Sequence, residues 1–147
     1  MKYLILLLPF IMWAEVLKVG DKITPLSLHT QFEKEVTVSL DGVWIVSFDR
    51  DSSDRVNHYF TSHDKTDDIM IMIDASDIPS LIFSMFVEDD LRGYSHAILV
   101  NFDKNYMAKL PQKKEANTLL YLQKGVIEKI VYVQSERALS KVLKHSF

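Results

Sequence analysis

Gly42-Val43-Trp44-Ile45-Val46-Ser47-Phe48, followed at once by Asp49-Arg50-Asp51-Ser52-Ser53-Asp54, is the stretch on which the fold turns. Its first half is almost continuously apolar from Val43 to Phe48, the pattern of a strand covered on both faces. Its second half, Asp49 to Asp54, reads as a polar loop in which Ser52 or Ser53 caps a following helix. That helix would bury Val56, Tyr59 and Phe60, which recur at helical spacing. After the polar connection ending at Asp67-Asp68, Ile69 to Ile73 supplies a second buried strand. Strand, helix and strand in this order predict an α/β sheet with helices on its faces.

The flanking segments extend the same pattern. Upstream, Leu26 to His29 and Val36 to Leu40 alternate around the polar turn Thr30 to Lys34 and predict a β-hairpin, and Asp41-Gly42 turns the chain into the central strand. Downstream, Asp77 is placed to cap a helix with Pro79 in its first turn. Ile78, Leu81, Ile82, Met85 and Phe86 then form a stripe expected to face the core, with Glu88, Asp89 and Asp90 outside. Phe83, Val87 and Leu91 fall on the less buried side, as a candidate apolar partner surface, and Gly93 offers a left-handed stop. Ala97 to Phe102 reads as a third strand, and 103–117 is irregular. Thr118 to Leu122 and Val126 to Val133 flank Lys124-Gly125 as a second hairpin. Ser135 caps a last helix that turns Ala138, Leu139, Val142 and Leu143 inward.

Composition narrows the function classes. The 147 residues, 48% hydrophobic and 25% charged, suit one globular domain. A formal charge of −3 with no basic run argues against a nucleic-acid partner, which needs clustered Lys and Arg. The absence of cysteine removes disulfide exchange, thiol peroxidation, thiolate metal ligation and cysteine nucleophiles. At the start, Met1-Lys2-Tyr3, the apolar run Leu4 to Trp13 and then Ala14-Glu15 have the layout of a secretory signal. The run is shorter than the roughly 20 residues that cross a bilayer. We therefore expect a signal peptide over 1–14, a single domain over 15–147 without a membrane span, and a periplasmic or secreted location.

Three stretches carry a resemblance. Val19-Gly20-Asp21 through Pro25-Leu26-Ser27-Leu28, then Gln31 to Val38, then Gly42 to Phe48, resemble the opening of the redoxin branch of thioredoxin-like proteins. Thr118 to Leu122 with Lys124-Gly125 and the closing helix are similar to the second half of that fold. Asp74-Ala75-Ser76-Asp77-Ile78-Pro79 with Met85-Phe86-Val87 resembles the YtfJ-type exported members. The resemblance implies a thioredoxin-like mixed-sheet sandwich with an N-terminal β-hairpin. It also marks departures. Where redoxins carry Cys-x-x-Cys or a peroxidatic cysteine, this chain has Phe48 to Val56, with Ser53 at or near the nucleophile position. Where the family places a cis-proline, it has Ala116-Asn117, and Pro111 comes too early. Both halves of the redox apparatus are missing.

The remaining constellations are few. Asp49-x-Asp51-x-Ser53 after an apolar strand is similar to the opening of haloacid-dehalogenase-type phosphatases, implying a Mg²⁺-dependent hydrolase with Asp49 as nucleophile and Asp51 as acid/base. The plainer reading of the same carboxylates is stabilisation of a helix start. Asp74 and Asp77 can converge with them in space around a hard cation. His29, His58, His63, His96 and His145 lack ligand spacing and are expected at surfaces or helix ends. Ser52 and Ser53 with His58 or His63 lack the Gly-x-Ser-x-Gly elbow of a hydrolase triad. The leading expectation is a binding or accessory module of the cell envelope, with an unidentified protein partner, no cofactor and no catalytic residue. Its candidate binding residues are Asp49, Asp51, Ser52, Ser53 and Asp54.

Overall fold

The computed structural model describes residues 15–144; the expected signal peptide and His145 lie outside the described residues. Seven strands form one mixed sheet in the order β2-β1-β5-β4-β3-β6-β7. They are β1 (Ser27–Thr30), β2 (Glu35–Thr37), β3 (Gly42–Ser47), β4 (Ile69–Asp74), β5 (Leu99–Asn101), β6 (Asn117–Gln123) and β7 (Val126–Val133). β3 runs parallel to β4, and β4 parallel to β5, while β6, β7, β1 and β2 join antiparallel. This is the predicted α/β class, with both hairpins present.

Two alternating sets of side chains explain why β3 reads as continuously apolar. Val43 and Ile45 point to one face with Ile71 and Ile73, and Trp44 and Val46 to the other with Met72. On the first face pack Val56, Tyr59 and Phe60 of α1 (Arg50–Ser62) and Leu139 and Leu143 of α5 (Glu136–Lys144). On the second lie Met107 of α4 (Lys104–Lys109), Leu110 and Ile23. α4 occupies the segment that the sequence left irregular; Asp103 caps it by accepting from the Tyr106 amide at 3.1 Å. Ser135 caps α5 as expected, accepting from the Ala138 amide at 3.0 Å. Two glycine-bearing turns set the strand joints. At Gly42, with φ of 107°, an added Cβ would lie 2.1 Å from the Asp68 carbonyl oxygen, so no side chain fits. Lys124 (φ 49°) and Gly125 (φ 80°) give the two left-handed residues of a tight hairpin.

The chain between β4 and β5 departs from expectation. Its helix runs as α2 (Ser80–Ile82), a π-helical turn (Phe83–Val87) and α3 (Glu88–Leu91). The Glu88 amide donates to the Phe83 carbonyl, five residues back, and this wider turn rotates the helix. Asp77 does not cap it, because no side chain caps α2 and Pro79 stands at the cap position. Phe83 and Leu91 are buried at 3% and 7% exposure, whereas Leu81, Ile82, Met85 and Phe86 face solvent. The apolar stripes of the helix are thus exchanged relative to expectation, while Ile78 packs half-buried against the core and Asp89 and Asp90 stay exposed as expected. The segment is apolar nearly all round, so periodicity alone cannot choose the buried side. Glu88, expected outside, is buried against Arg92 as an ion pair one helical turn away.

Smaller corrections follow from the same region. Gly93 is not left-handed; its amide donates to Asp90 at 3.3 Å. The third strand is only Leu99–Asn101, with Phe102 exposed. His96 is buried, and its Nε2 donates to the Asn57 Oδ1 at 2.8 Å. Burial, reinforced by the nearby Lys65 charge, lowers its pKa below 6.5. Gln31, also buried, bridges this loop to β1 by donating to the His96 carbonyl and accepting from the Ile98 amide. Among the described residues, no helix is long and apolar enough to cross a membrane.

Candidate functional site

The C-terminal ends of β3 and β4 point at the start of α1, the place where α/β sheets usually open a crevice. The stretch Asp49 to Asp54 is not a loop there. The helix starts at Arg50, and Asp49 itself is the cap: its Oδ1 accepts from the Ser52 amide at 2.8 Å. The Ser52 hydroxyl reaches back to the Asp49 backbone, closing a capping box. The expected cap at Ser52 or Ser53 is therefore corrected by three residues or more. An aspartate can cap from just outside a polar run, so the run itself becomes the first helical turn.

This geometry separates the five predicted binding residues. Ser52 is buried at 1% exposure and faces β6. Asn117, fully buried at the start of β6, donates to the Ser47 Oγ at 2.8 Å and to the Ser52 carbonyl at 2.9 Å. Its Oδ1 accepts from Arg55 Nη1 at 2.8 Å. Arg55 extends to the carbonyls of Val133 and Glu115, each at 3.4 Å. Ser52 and Arg55, three apart, thus both face the β6 start. They are locked into hydrogen bonds, and no buried side-chain N or O among the described residues lacks a partner. Ser53 lies outside this network, on the opposite side. The sequence named Asn117 only as the residue replacing a proline, and it gave no reason to single out Arg55. A buried amide and guanidinium converge only once β6 is laid beside β3.

On the Ser53 side opens a cavity of about 620 Å³. Asp49, Ser53 and Asp54 line it, as do Asp74, Asp77 and Asp90. Asp51 does not. Phe48, Ile73, Phe83, Val87, Leu91 and Tyr94 contribute its apolar surface, and Phe86 stands at its lip. Among the described residues Arg50 is its one lining cation, 3.9 Å from Asp54, and Lys104 lies 3.2 Å from Asp77 outside. Asp74 is held by its own turn, accepting from the Ser76 amide at 2.9 Å and hydroxyl at 2.6 Å. The suggested convergence of Asp74 and Asp77 with Asp49 and Asp54 is real, but it rims a cavity. Among the described residues no group of three or more side chains is arranged to hold a metal ion. With Asp49 engaged as a cap and Asp51 turned away, the Mg²⁺-dependent hydrolase reading finds no support.

No family model matches the chain, and no curated protein matches it. Solved structures do. A thiol-disulfide oxidoreductase from Bacteroides fragilis superposes with a TM-score of 0.58 at 14% identity, over 86% of this chain and 100% of its own. The thioredoxin domain of a thiol-disulfide oxidoreductase from Bacteroides vulgatus gives 0.57 at 12% identity, over 89% and 99%. A peroxiredoxin-like protein from Aquifex aeolicus gives 0.54 at 14% identity, over 88% of each chain. Likeness at such low identity speaks to architecture, not to activity. The chain has a thioredoxin-like fold, built without a single cysteine.

Proposed function

We propose that this protein is exported and serves the cell envelope as a binding or accessory module without redox activity. The observation that carries the reading is the Ser52–Arg55–Asn117 network. Ser52 and Asn117 are buried and hydrogen-bonded, half-buried Arg55 is tied to Asn117, and none of the three side chains can exchange with a disulfide. The arrangement favours a rigid frame over a reagent. Beside it, the cavity supplies a concave surface of a size typical of binding sites. The apolar run Leu4 to Trp13 with Lys2 ahead of it and Ala14 behind supports export.

Three measurements test the parts separately. Purified protein is expected to show no catalytic reduction of insulin and no consumption of hydrogen peroxide; turnover in either assay removes the non-redox claim. Cell fractionation is expected to find a shortened chain outside the cytoplasm, and full-length protein retained inside would end the export claim. A photo-crosslinking residue at position 53 is expected to capture a protein in the envelope. Its failure there, with the protein folded and exported, would leave the binding claim without content.

A further inference from the structure

Resting on that reading, we propose that the cavity and the outer face of the 80–91 helix together receive a segment of a partner protein that presents apolar side chains beside lysine or arginine. Two features of the surface define this partner. The first is apolar continuity. Phe86 lines the cavity yet is 64% exposed, and Leu81 (69%), Ile82 (44%) and Met85 (56%) carry the apolar surface outward from it. Four large apolar side chains uncovered on one short helical segment are unusual on a solvated surface, and such clusters mark contact sites. A small molecule filling the cavity would leave Leu81, Ile82 and Met85 in water. An extended segment covers both.

The second feature is charge. Among the described residues five aspartates (Asp49, Asp54, Asp74, Asp77 and Asp90) line the cavity against Arg50 alone. From Asp74 to Asp90 the chain contains no Lys or Arg. A fatty acid, a phosphorylated ligand or an anionic membrane would meet like charge on entering, an arrangement that rejects as well as selects. A cation carried next to an apolar side chain meets attraction at the rim and burial at the floor. The reversal of the helix described above creates this surface: with Phe83 and Leu91 turned inward, the second apolar stripe has no internal place to go.

Two short synthetic peptides, one alternating leucine with lysine and one alternating leucine with glutamate, serve as probes in fluorescence anisotropy at physiological salt. The lysine peptide is expected to bind and the glutamate peptide to bind at least about ten-fold more weakly. Met85→Ser with Phe86→Ser should weaken the lysine peptide about ten-fold. Asp77→Asn with Asp90→Asn should weaken it and flatten its salt dependence, while the remote Asp67→Asn should leave it unchanged. All these positions are exposed, and melting curves verify that each variant folds. Equal binding of both peptides overturns the charge argument. Unaltered binding by the Met85/Phe86 variant overturns the site. Sedimentation of the free protein as a dimer that Phe86→Ser dissociates would make a second copy the occupant, and binding to anionic vesicles would make it a membrane; either result overturns the proposal. Envelope crosslinking from position 53 and the redox assays stand apart from these outcomes, so a failed partner chemistry is distinguishable from a failed binding role.

Discussion

α1 and the 80–91 helix lie on the same face of the sheet, and each carries more apolar residues than a solvated surface needs. In α1 the apolar residues form one stripe, Val56, Tyr59 and Phe60, and all three are buried. The 80–91 helix carries two stripes, and only Phe83 and Leu91, with half-buried Val87, go inward. One helix has a single answer to which side faces the core; the other needs a π turn to choose. A surplus of apolar residues that cannot all be buried becomes surface, and surface of that kind is available for recognition.

Phe83 and Phe86 put this contrast to its strongest test. Phe83→Ala should destabilise the protein by about 3 kcal/mol or more in urea unfolding, since it empties a core position against Phe102 and the sheet. Phe86→Ala should stay within about 0.5 kcal/mol of the parent. Similar losses at both positions would mean that the helix does not sit as described. Next in size is the polar junction beneath α1. Asn117→Ala strands the Ser47 hydroxyl and removes the shortest of the acceptors of Arg55, and about 2 kcal/mol should be lost. A neutral result would show that water replaces the amide freely there.

Smaller effects separate structure from chemistry at the helix start. Asp49→Ala should cost about 1 kcal/mol by removing the cap, and Asp49→Asn should recover most of it because an amide oxygen also accepts from the Ser52 N–H. A thermal melt in which both variants fall equally would contradict the capping role. The smallest effect is a slope. Because the folded protein holds His96 below its ordinary pKa of 6.5, the unfolded chain takes up a proton first on acidification. The stability that neutral His96 contributes is complete above about pH 6.5 and declines as pH falls towards the folded-state value. His96→Gln keeps a donor for Asn57 and should reduce the loss of urea midpoint between about pH 7.5 and about pH 5.5. Identical slopes for the two proteins would place His96 in water.

Legibility followed local redundancy. β3, β4, both hairpins and the inward side of α1 were readable because strand periodicity, turn residues and helical spacing agreed. The boundary at Asp49 is not legible in the sequence because Asp49, Ser52 and Ser53 are all good caps, and only the path of the chain selects one. The sequence predicts a surface position for His96 because a lone histidine between Ser95 and Ala97 has no pattern to locate it. The acidic residues of the candidate site were visible one by one, but their division between cavity rim and open solvent was not, since Asp51 and Asp54 differ only by which side of one helical turn they occupy.

Residue identities alone decided that the chain is an α/β domain and that no thiol chemistry can come from it: strand and helix periods are local properties, and an absent element cannot be supplied by folding. The partnering of Ser52, Arg55 and Asn117, the choice of Phe83 over Phe86 for the core, and the gathering of Asp49, Asp54, Asp74, Asp77 and Asp90 around one cavity depend on residues distant in the chain. They exist only because β6 lies against β3 and the 80–91 helix joins the same core cluster as β4 and α1, contacts whose energies come from neighbours that no window of sequence contains.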